Sequence, residues 1–130
     1  MLTGIAHIAL TVRDLPTSVA WYRDVLELPV IAEFCEQGET RRKAVLGNHT
    51  IRLGLVQHSA ALDGAFDETR VGLDHLAFAV PRGAIQRWAT RLDGLGIPHS
   101  PIAPSVLQPD QRVLVFRDPD AIQLEFFETN

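Results

Sequence analysis

The chain has 130 residues, of which 46% are hydrophobic, and it carries a formal net charge of −4. This length suits one compact domain, and the acidic balance argues against nucleic acid or anionic membranes as partners, because both require basic patches. No apolar run approaches the roughly 18 residues of a membrane span, no secretory pattern is present, and the single cysteine cannot form an intrachain disulfide. We therefore expect a cytoplasmic protein.

The first half of the chain predicts one helix among four strands. Residues 5–12 alternate, so that one face of the strand is apolar and the other carries His7. Asp14 is placed to cap a helix whose first turn contains Pro16. In chain order, the elements expected are a strand over 5–12, a helix from Asp14 to about Leu28, and strands near 29–36, 42–46 and 50–57.

The second half repeats this pattern after a stretch, 59–70, that has no periodicity and is interpreted as a linker. Gly-Leu-Asp-His at 72–75 superposes on Gly-Ile-Ala-His at 4–7, so His75 matches His7. The elements expected here are a strand over 72–80, a helix over about 83–94, a proline-rich loop or edge strand within 97–110, and strands over 111–117 and 121–128. The predicted fold class is α+β, a single domain of two βαβββ modules, 1–58 and 71–130.

One face of each strand carries large apolar residues and should pack against the helix of its own half. The opposite face carries mostly small or polar residues, among them His7, His75 and Glu125. Two imidazoles and one carboxylate are a donor set suited to a divalent cation. The sequence therefore predicts a metal site of these three residues, and Fe(II), Mn(II), Ni(II) and Zn(II) are all compatible with it.

Two further residues are candidates for chemistry beside the metal. Arg52 shares the face of His7 by phase and could pair with an anionic substrate, or else extend into solvent as a rim residue. His58 follows the last strand of the first half and points to the same face if the alternation continues. It is a candidate acid–base group, with a solvated histidine at a strand end as the alternative.

Three segments of the chain resemble the vicinal oxygen chelate superfamily, which includes glyoxalase I, extradiol dioxygenases, fosfomycin-resistance enzymes, methylmalonyl-CoA epimerase and bleomycin-resistance proteins. The segments are His-Ile-Ala-Leu-Thr-Val-Arg-Asp-Leu followed by Trp-Tyr within 7–22, Asp-His-Leu-Ala-Phe-Ala-Val at 74–80, and Phe-Arg-Asp-Pro-Asp-Ala-Ile-Gln-Leu-Glu-Phe at 116–126. The resemblance implies two βαβββ modules related by a pseudo-twofold axis and curled into a cup around a divalent metal. It maps the metal ligands onto His7, position 54, His75 and Glu125.

Position 54 departs from the four-ligand pattern. Aligning 50–54 with 121–125 puts Gly54 where four-ligand members such as glyoxalase I carry Glu or Gln. Three ligands remain, as in the extradiol and fosfomycin-resistance members. Gln57 lies on the opposite face by alternation and could replace the missing ligand only through a β-bulge.

The resemblance implies a metal-dependent enzyme that acts on a small molecule through vicinal oxygens, either dioxygenase-like or lyase- or transferase-like, and not a glyoxalase I. The alternative is a metal-free, drug-binding protein of the bleomycin-resistance type. The second half has no tyrosine of the extradiol kind, and few residues follow Glu125 to supply the cationic and hydroxyl groups of fosfomycin-type enzymes. A small-molecule ligand and a homodimer are expected, with the modules pairing within one chain or exchanging between two.

Overall fold

The computed structural model describes residues 1–60 and 64–130, and the chain divides into two compact units, Met1–Gly64 and Ala65–Asn130. We call them the first and second modules. Of the linker expected over 59–70, residues 61–63 lie outside the described residues. The elements of the first module are β1 (Ile8–Thr11), α1 (Leu15–Leu26), β2 (Val30–Glu36), β3 (Arg41–Gly47) and β4 (Arg52–His58). Those of the second are β5 (Leu76–Pro81), α2 (Ile85–Gly94), β6 (Ala103–Pro104), β7 (Arg112–Arg117) and β8 (Gln123–Thr129).

The α+β class and the βαβββ order of each half are confirmed. Each module has a four-stranded mixed sheet, with strand order β1-β4-β3-β2 in the first and β5-β8-β7-β6 in the second. The first and last strands of each module pair in parallel, and the other pairs are antiparallel. This arrangement places the two strands that carry the candidate ligands side by side at one edge of each sheet.

In the first module, α1 covers one face of the sheet. The helix begins as predicted, because the Asp14 side chain accepts a hydrogen bond of 3.0 Å from the Thr17 backbone N–H. Tyr22 of the helix and apolar residues of the strands are buried between the helix and the sheet. The largest buried strand side chains on this face are Leu10, Leu46, Leu53 and Leu55.

The second module repeats this packing with larger aromatic residues. Ile85 and Leu92 of α2 are fully buried over the sheet. Phe126 lies at the centre, with ring centroids 4.6 Å from those of both Trp88 and Phe116. In both modules the sheet face opposite the helix takes no part in this packing, and we call it the open face.

The first strand of each module is shorter than predicted. β1 begins at Ile8 and β5 at Leu76, so both histidines come just before their strands. The adjacent strands begin at Arg52 and Gln123, which the register places beside His7 and His75, so the residues before the two histidines have no strand beside them. Neither α1 nor α2 is long and apolar enough to cross a bilayer, and the structure describes no further helix.

Candidate functional site

Two of the predicted ligands are neighbours on the open face of the second module. Nε2 of His75 lies 4.0 Å from Oε2 of Glu125. Glu125 pairs across β5 and β8 with Ala77, and His75 lies two residues before Ala77. The side chains of His75 and Glu125 are 41% and 15% exposed, so a small ion can reach them from solvent.

Asp74 holds the His75 imidazole from its other side. Nδ1 of His75 lies 2.7 Å from Oδ1 of Asp74, so Nδ1–H donates to the carboxylate and the lone pair of Nε2 is left beside Glu125. Metal-binding histidines are typically supported in this way. Two ligands of one ion, each about 2.1 Å from it, lie roughly 3–3.5 Å apart, so the observed pair needs only a small side-chain adjustment. We call His75 and Glu125, with Asp74 behind the histidine, the half-site of the second module. Its donor atoms fit a divalent metal.

A chain of hydrogen bonds continues behind Asp74. The Gln123 amide Nε2 lies 3.3 Å from Oδ1 of Asp74, and Nη2 of Arg117 donates to Oε1 of Gln123 at 3.2 Å. Arg117 also donates to Glu68 at 2.7 Å, a bond that raises the pKa of Arg117 and lowers the pKa of Glu68. Sequence reasoning missed these supporting residues. The only available signal was the Asp-His dipeptide itself.

The first module has the same register and lacks the carboxylate. Ala9 pairs with Gly54 as Ala77 pairs with Glu125, so the two positions are structurally equivalent. His7 lies one residue before β1, as His75 lies one residue before β5. At the place of Glu125, the first module therefore offers no ligand.

Gln57 is not available to replace it. The pairing of β4 with β3 runs without a register shift from Arg52 to His58, so no bulge turns Gln57 to the open face. Its side-chain Oε1 accepts a hydrogen bond of 2.6 Å from the Leu15 backbone N–H at the start of α1. Gln57 therefore stabilises the beginning of the helix.

Lys43 occupies the space that a side chain at position 54 would fill. A Cβ atom added to Gly54 would lie 3.0 Å from Cε of Lys43 and 3.4 Å from Cβ of Ala9. The backbone of Gly54 does not have the positive φ angle that favours glycine. A side chain at position 54 would therefore require Lys43 to shift by a few tenths of an ångström.

These residues surround a cavity of about 250 Å³ in the open face of the first module. Its lining residues are Ala6, His7, Lys43, Val45, Arg52 and Gly54. Arg52 makes no ion pair or side-chain hydrogen bond with any residue in the described ranges. The Lys43 side chain is 13% exposed, and its Nζ lies 3.8 Å from Oε1 of Glu36. Two cationic side chains therefore line the cavity, and the nearest recorded carboxylate to Lys43, that of Glu36, is not part of the lining.

The remaining candidate residues are not brought together. His58 ends β4, six residues beyond Arg52, which is roughly 20 Å along the strand at the usual rise of about 3.3 Å per residue. Its acid–base role stays a prediction. Within neither module do three His, Cys, Asp or Glu side chains converge, over residues 1–60 and 64–130, in a way that could hold a metal. The three-residue metal site also stays a prediction.

Comparison with known proteins agrees with this architecture. A family profile, the Glyoxalase/Bleomycin resistance protein/Dioxygenase superfamily, matches residues 4–126. Metallothiol transferase FosB from Shouchella clausii (strain KSM-K16) is 26% identical over 126 residues, which cover 96% of this chain and 80% of that protein.

Solved structures show the same fold. A glyoxylase/bleomycin resistance protein/dioxygenase domain from Frankia sp. EAN1pec is 32% identical, with a TM-score of 0.85 over 100% of this chain and 94% of that chain. The fosfomycin resistance protein FosX from Listeria monocytogenes, complexed with Mn(II) and sulfate, is 18% identical, with a TM-score of 0.74 over 100% of this chain and 95% of that chain. The resemblance seen in the sequence is confirmed, and the chain belongs to the glyoxalase, bleomycin-resistance protein and dioxygenase superfamily.

Proposed function

We propose that this chain is a divalent-metal-dependent enzyme that acts on a small molecule through two vicinal oxygens. The proposed protein ligands are His75 and Glu125 of the second module together with His7 of a first module, from the same chain or from a second copy in a homodimer. The observation that carries the proposal is the half-site of the second module. There a ligand pair 4.0 Å apart is held by a carboxylate behind the histidine.

A bound metal would act as a Lewis acid that polarises the chelated oxygens of the substrate. The chain's own residues have separate tasks. Asp74 fixes the proton on Nδ1 of His75, so that Nε2 can bind a cation. Glu125 supplies the negative charge that a divalent ion requires.

A glyoxalase I activity is not proposed. Position 54 has no side chain to hold a metal or move a proton, and Lys43 and Gln57 do not replace it with a carboxylate. The similarity to a metallothiol transferase over 96% of the chain favours a group-transfer reaction over a dioxygenase reaction. The substrate itself is left to experiment.

The first test is metal binding by protein purified without a chelator or a metal-affinity tag. Elemental analysis should find a divalent metal, and added Mn(II) should bind one equivalent per ligand set. Glu125→Ala should weaken Mn(II) binding by more than about a hundredfold, since removal of outer residues alone typically costs 10- to 100-fold. His7→Gln and His75→Gln should weaken it similarly.

Glu33→Gln and His49→Gln are matched controls, because both side chains are exposed and neither is one of the proposed ligands. They should leave Mn(II) binding unchanged. Equal Mn(II) affinity in the wild type and Glu125→Ala would rule out the ligand set. Tight binding of a drug-like compound that is insensitive to EDTA and to His7→Gln would instead support the metal-free binding protein.

The reaction type is tested with the Mn(II)-loaded protein. Thiol addition to fosfomycin and to related small electrophiles should be compared with turnover of the methylglyoxal–glutathione adduct and with oxygen uptake on catechols. We expect no more than trace glyoxalase turnover. Robust turnover of the glutathione adduct would contradict the three-ligand assignment, and size-exclusion measurements in parallel would report whether the active species is a dimer.

A further inference from the structure

We propose that Lys43 and Arg52 form an anion-binding subsite on the open face of the first module. The subsite would hold a carboxylate, phosphonate or phosphate group of the substrate beside His7. This inference rests on the proposed function for the identity of the bound molecule as a substrate. The anion site itself can be tested without a metal.

The position of Lys43 supports the proposal first. Its side chain is only 13% exposed, and the aliphatic stem passes near Gly54, with Cε 3.0 Å from the place that a Cβ atom at position 54 would take. A lysine that remains mostly solvated on the surface needs no such space. Its Nζ lies 3.8 Å from Oε1 of Glu36, which is longer than a hydrogen bond, and over the Phe34 ring, 5.9 Å from its centroid, a contact that uses no hydrogen-bond acceptor. The ammonium therefore keeps donors available to a ligand.

Arg52 supplies the second charge. It lines the same cavity of about 250 Å³, and no described residue accepts a hydrogen bond from its guanidinium. β1 continues beside β4, so His7, which precedes Ile8, is next to Arg52 in the register, since Ile8 pairs with Leu53. An arginine fork can bind a carboxylate or a phosphate-type group through two parallel hydrogen bonds. The two cationic residues thus line one cavity together with a proposed metal ligand.

The second module lacks these charges at the equivalent positions. Val113 corresponds to Lys43, because Val113 pairs with Phe127 as Lys43 pairs with Val56. Gln123 corresponds to Arg52 and is used in the hydrogen bonds behind Asp74. The cationic pair therefore belongs to the module that lacks the carboxylate. This is expected if the second module supplies the carboxylate for the metal and the first module supplies the cations for the substrate.

The experiment uses the full chain, treated with chelator and then dialysed free of it, so that anions cannot bind through a metal. Methylphosphonate and acetate are the probes, and binding is followed by the backbone amide shifts of Gly54 and Ala9 in ¹⁵N-labelled protein. Lys43→Gln and Arg52→Gln should each weaken binding of the preferred probe by about tenfold, as expected for the loss of a charged hydrogen bond. The stronger probe identifies the class, a tetrahedral oxyanion or a carboxylate.

Arg42→Gln is the matched control, since it removes the same charge from the adjacent residue of β3, which faces the other way. It should change affinity by less than about twofold, because exposed charges are screened by salt. Gly54→Ala is a further variant, in which neither cationic residue is substituted. Its methyl group should displace Lys43 and weaken probe binding.

Two results would overturn the anion subsite: wild-type protein in which neither probe shifts Gly54, or an Arg42→Gln variant that loses as much affinity as Arg52→Gln. Mn(II) binding is measured on the same samples to separate this inference from the proposed function. If Mn(II) binds and the affinity for the probe does not depend on Lys43 or Arg52, the anion subsite is rejected and the metal-dependent enzyme is retained. If the probe binds in a way that depends on both cations and Mn(II) does not bind, the anion subsite is retained and the metal-dependent enzyme is rejected.

Discussion

The two modules share a fold and differ in what they place on the open face. At the position where the second module carries Glu125, the first has Gly54, and where the second has Val113, the first has Lys43. A carboxylate beside an apolar residue is thus matched by a cation beside a glycine. The modules therefore present opposite charges from equivalent places on their sheets.

On the helix side of the sheet, by contrast, the two modules share an equivalent hydrogen bond. Gln57 accepts a hydrogen bond from the Leu15 backbone N–H, and Glu128, the equivalent residue, accepts one from the Gly83 backbone N–H. Both bonds join the last strand of a module to the beginning of its helix segment. The comparison teaches that the repeat retains the bonds that fix the fold, while its open faces have become specialised.

The largest effect expected beyond the ligands themselves concerns Asp74, which has no counterpart in the first module, where Ala6 precedes His7. Under the proposed function, Asp74→Ala should weaken Mn(II) binding by about 10- to 100-fold, because His75 loses its orienting partner. Titration with Mn(II) measures this. Asp110→Ala, which removes an exposed partner of Arg82, is the control, and an equal loss in both variants would contradict the role of Asp74.

The comparison is sharpened by making the first module resemble the second. Gly54→Glu combined with Lys43→Val recreates the Glu125 and Val113 arrangement, and under the proposed function it should tighten Mn(II) binding by about tenfold through a fourth ligand. Gly54→Glu alone should be less stable than the pair, because its Cβ lies 3.0 Å from Cε of Lys43. Thermal unfolding and metal titration of both variants and the wild type test this. Equal stability of Gly54→Glu and the double variant would contradict the steric coupling.

A smaller effect is expected from the helix-side bond of the first module. Gln57→Ala leaves the Leu15 N–H without its partner and should lower the free energy of unfolding by about 1 kcal/mol, as for loss of a helix cap. Urea denaturation gives this value. Gln57→Glu retains an acceptor at the helix N-terminus and should remain close to the wild type. Wild-type stability in Gln57→Ala would show that the bond contributes nothing.

The stability of the second module should depend on pH, because its Glu128 is ionisable. The equivalent residue of the first module, Gln57, is neutral. Arg112 binds the Glu128 carboxylate at 2.9 and 3.0 Å, and with the Gly83 N–H it lowers the Glu128 pKa from 4.5 to about 2. Because the folded-state pKa is the lower one, this stabilisation is complete above about pH 4.5 and is lost as the pH falls towards 2.

Melting temperatures at pH 7, 4.5 and 3 measure this sensitivity. Glu128→Gln should be less stable than the wild type at pH 7, and the difference should shrink by pH 3. Asp14, Asp24, Asp67 and Glu68 also have lowered pKa values, so part of the acid sensitivity should persist in the variant. A constant difference across the three pH values would contradict the assignment.

Alternation and the repeated histidine were sufficient to predict the module order and the face of each phased strand. The buried Leu10 and exposed Ala9 of β1 agree with the predicted phase. The Asp14 cap was also predictable, since a cap is a local contact. Alternation likewise brought His75 and Glu125 to one face, where they are 4.0 Å apart. The joining of His7 to that pair stays a prediction.

Other parts of the site could not be predicted from the sequence. Arg41, Arg42 and Lys43 are three consecutive cations, so alternation assigns no face to that strand. The position of Lys43 depends on the pairing of β3 with β4 and on a side chain that bends towards Gly54. The Gln123 to Asp74 bond joins residues 49 positions apart and depends on rotamers. Such contacts are set by tertiary packing, which local patterns do not encode.

The helix-side bonds of Gln57 and Glu128 also locate a difference in length between the two halves of the chain. Leu15 and Gln57 are 42 residues apart, whereas Gly83 and Glu128 are 45 apart. The three additional residues of the second half are accommodated between the bonded ends, where connections are exposed and tolerate insertion. Each bond thus acts as a fixed reference point of the duplicated unit, and insertions engineered between these points should be tolerated better than insertions that separate a strand end from its helix.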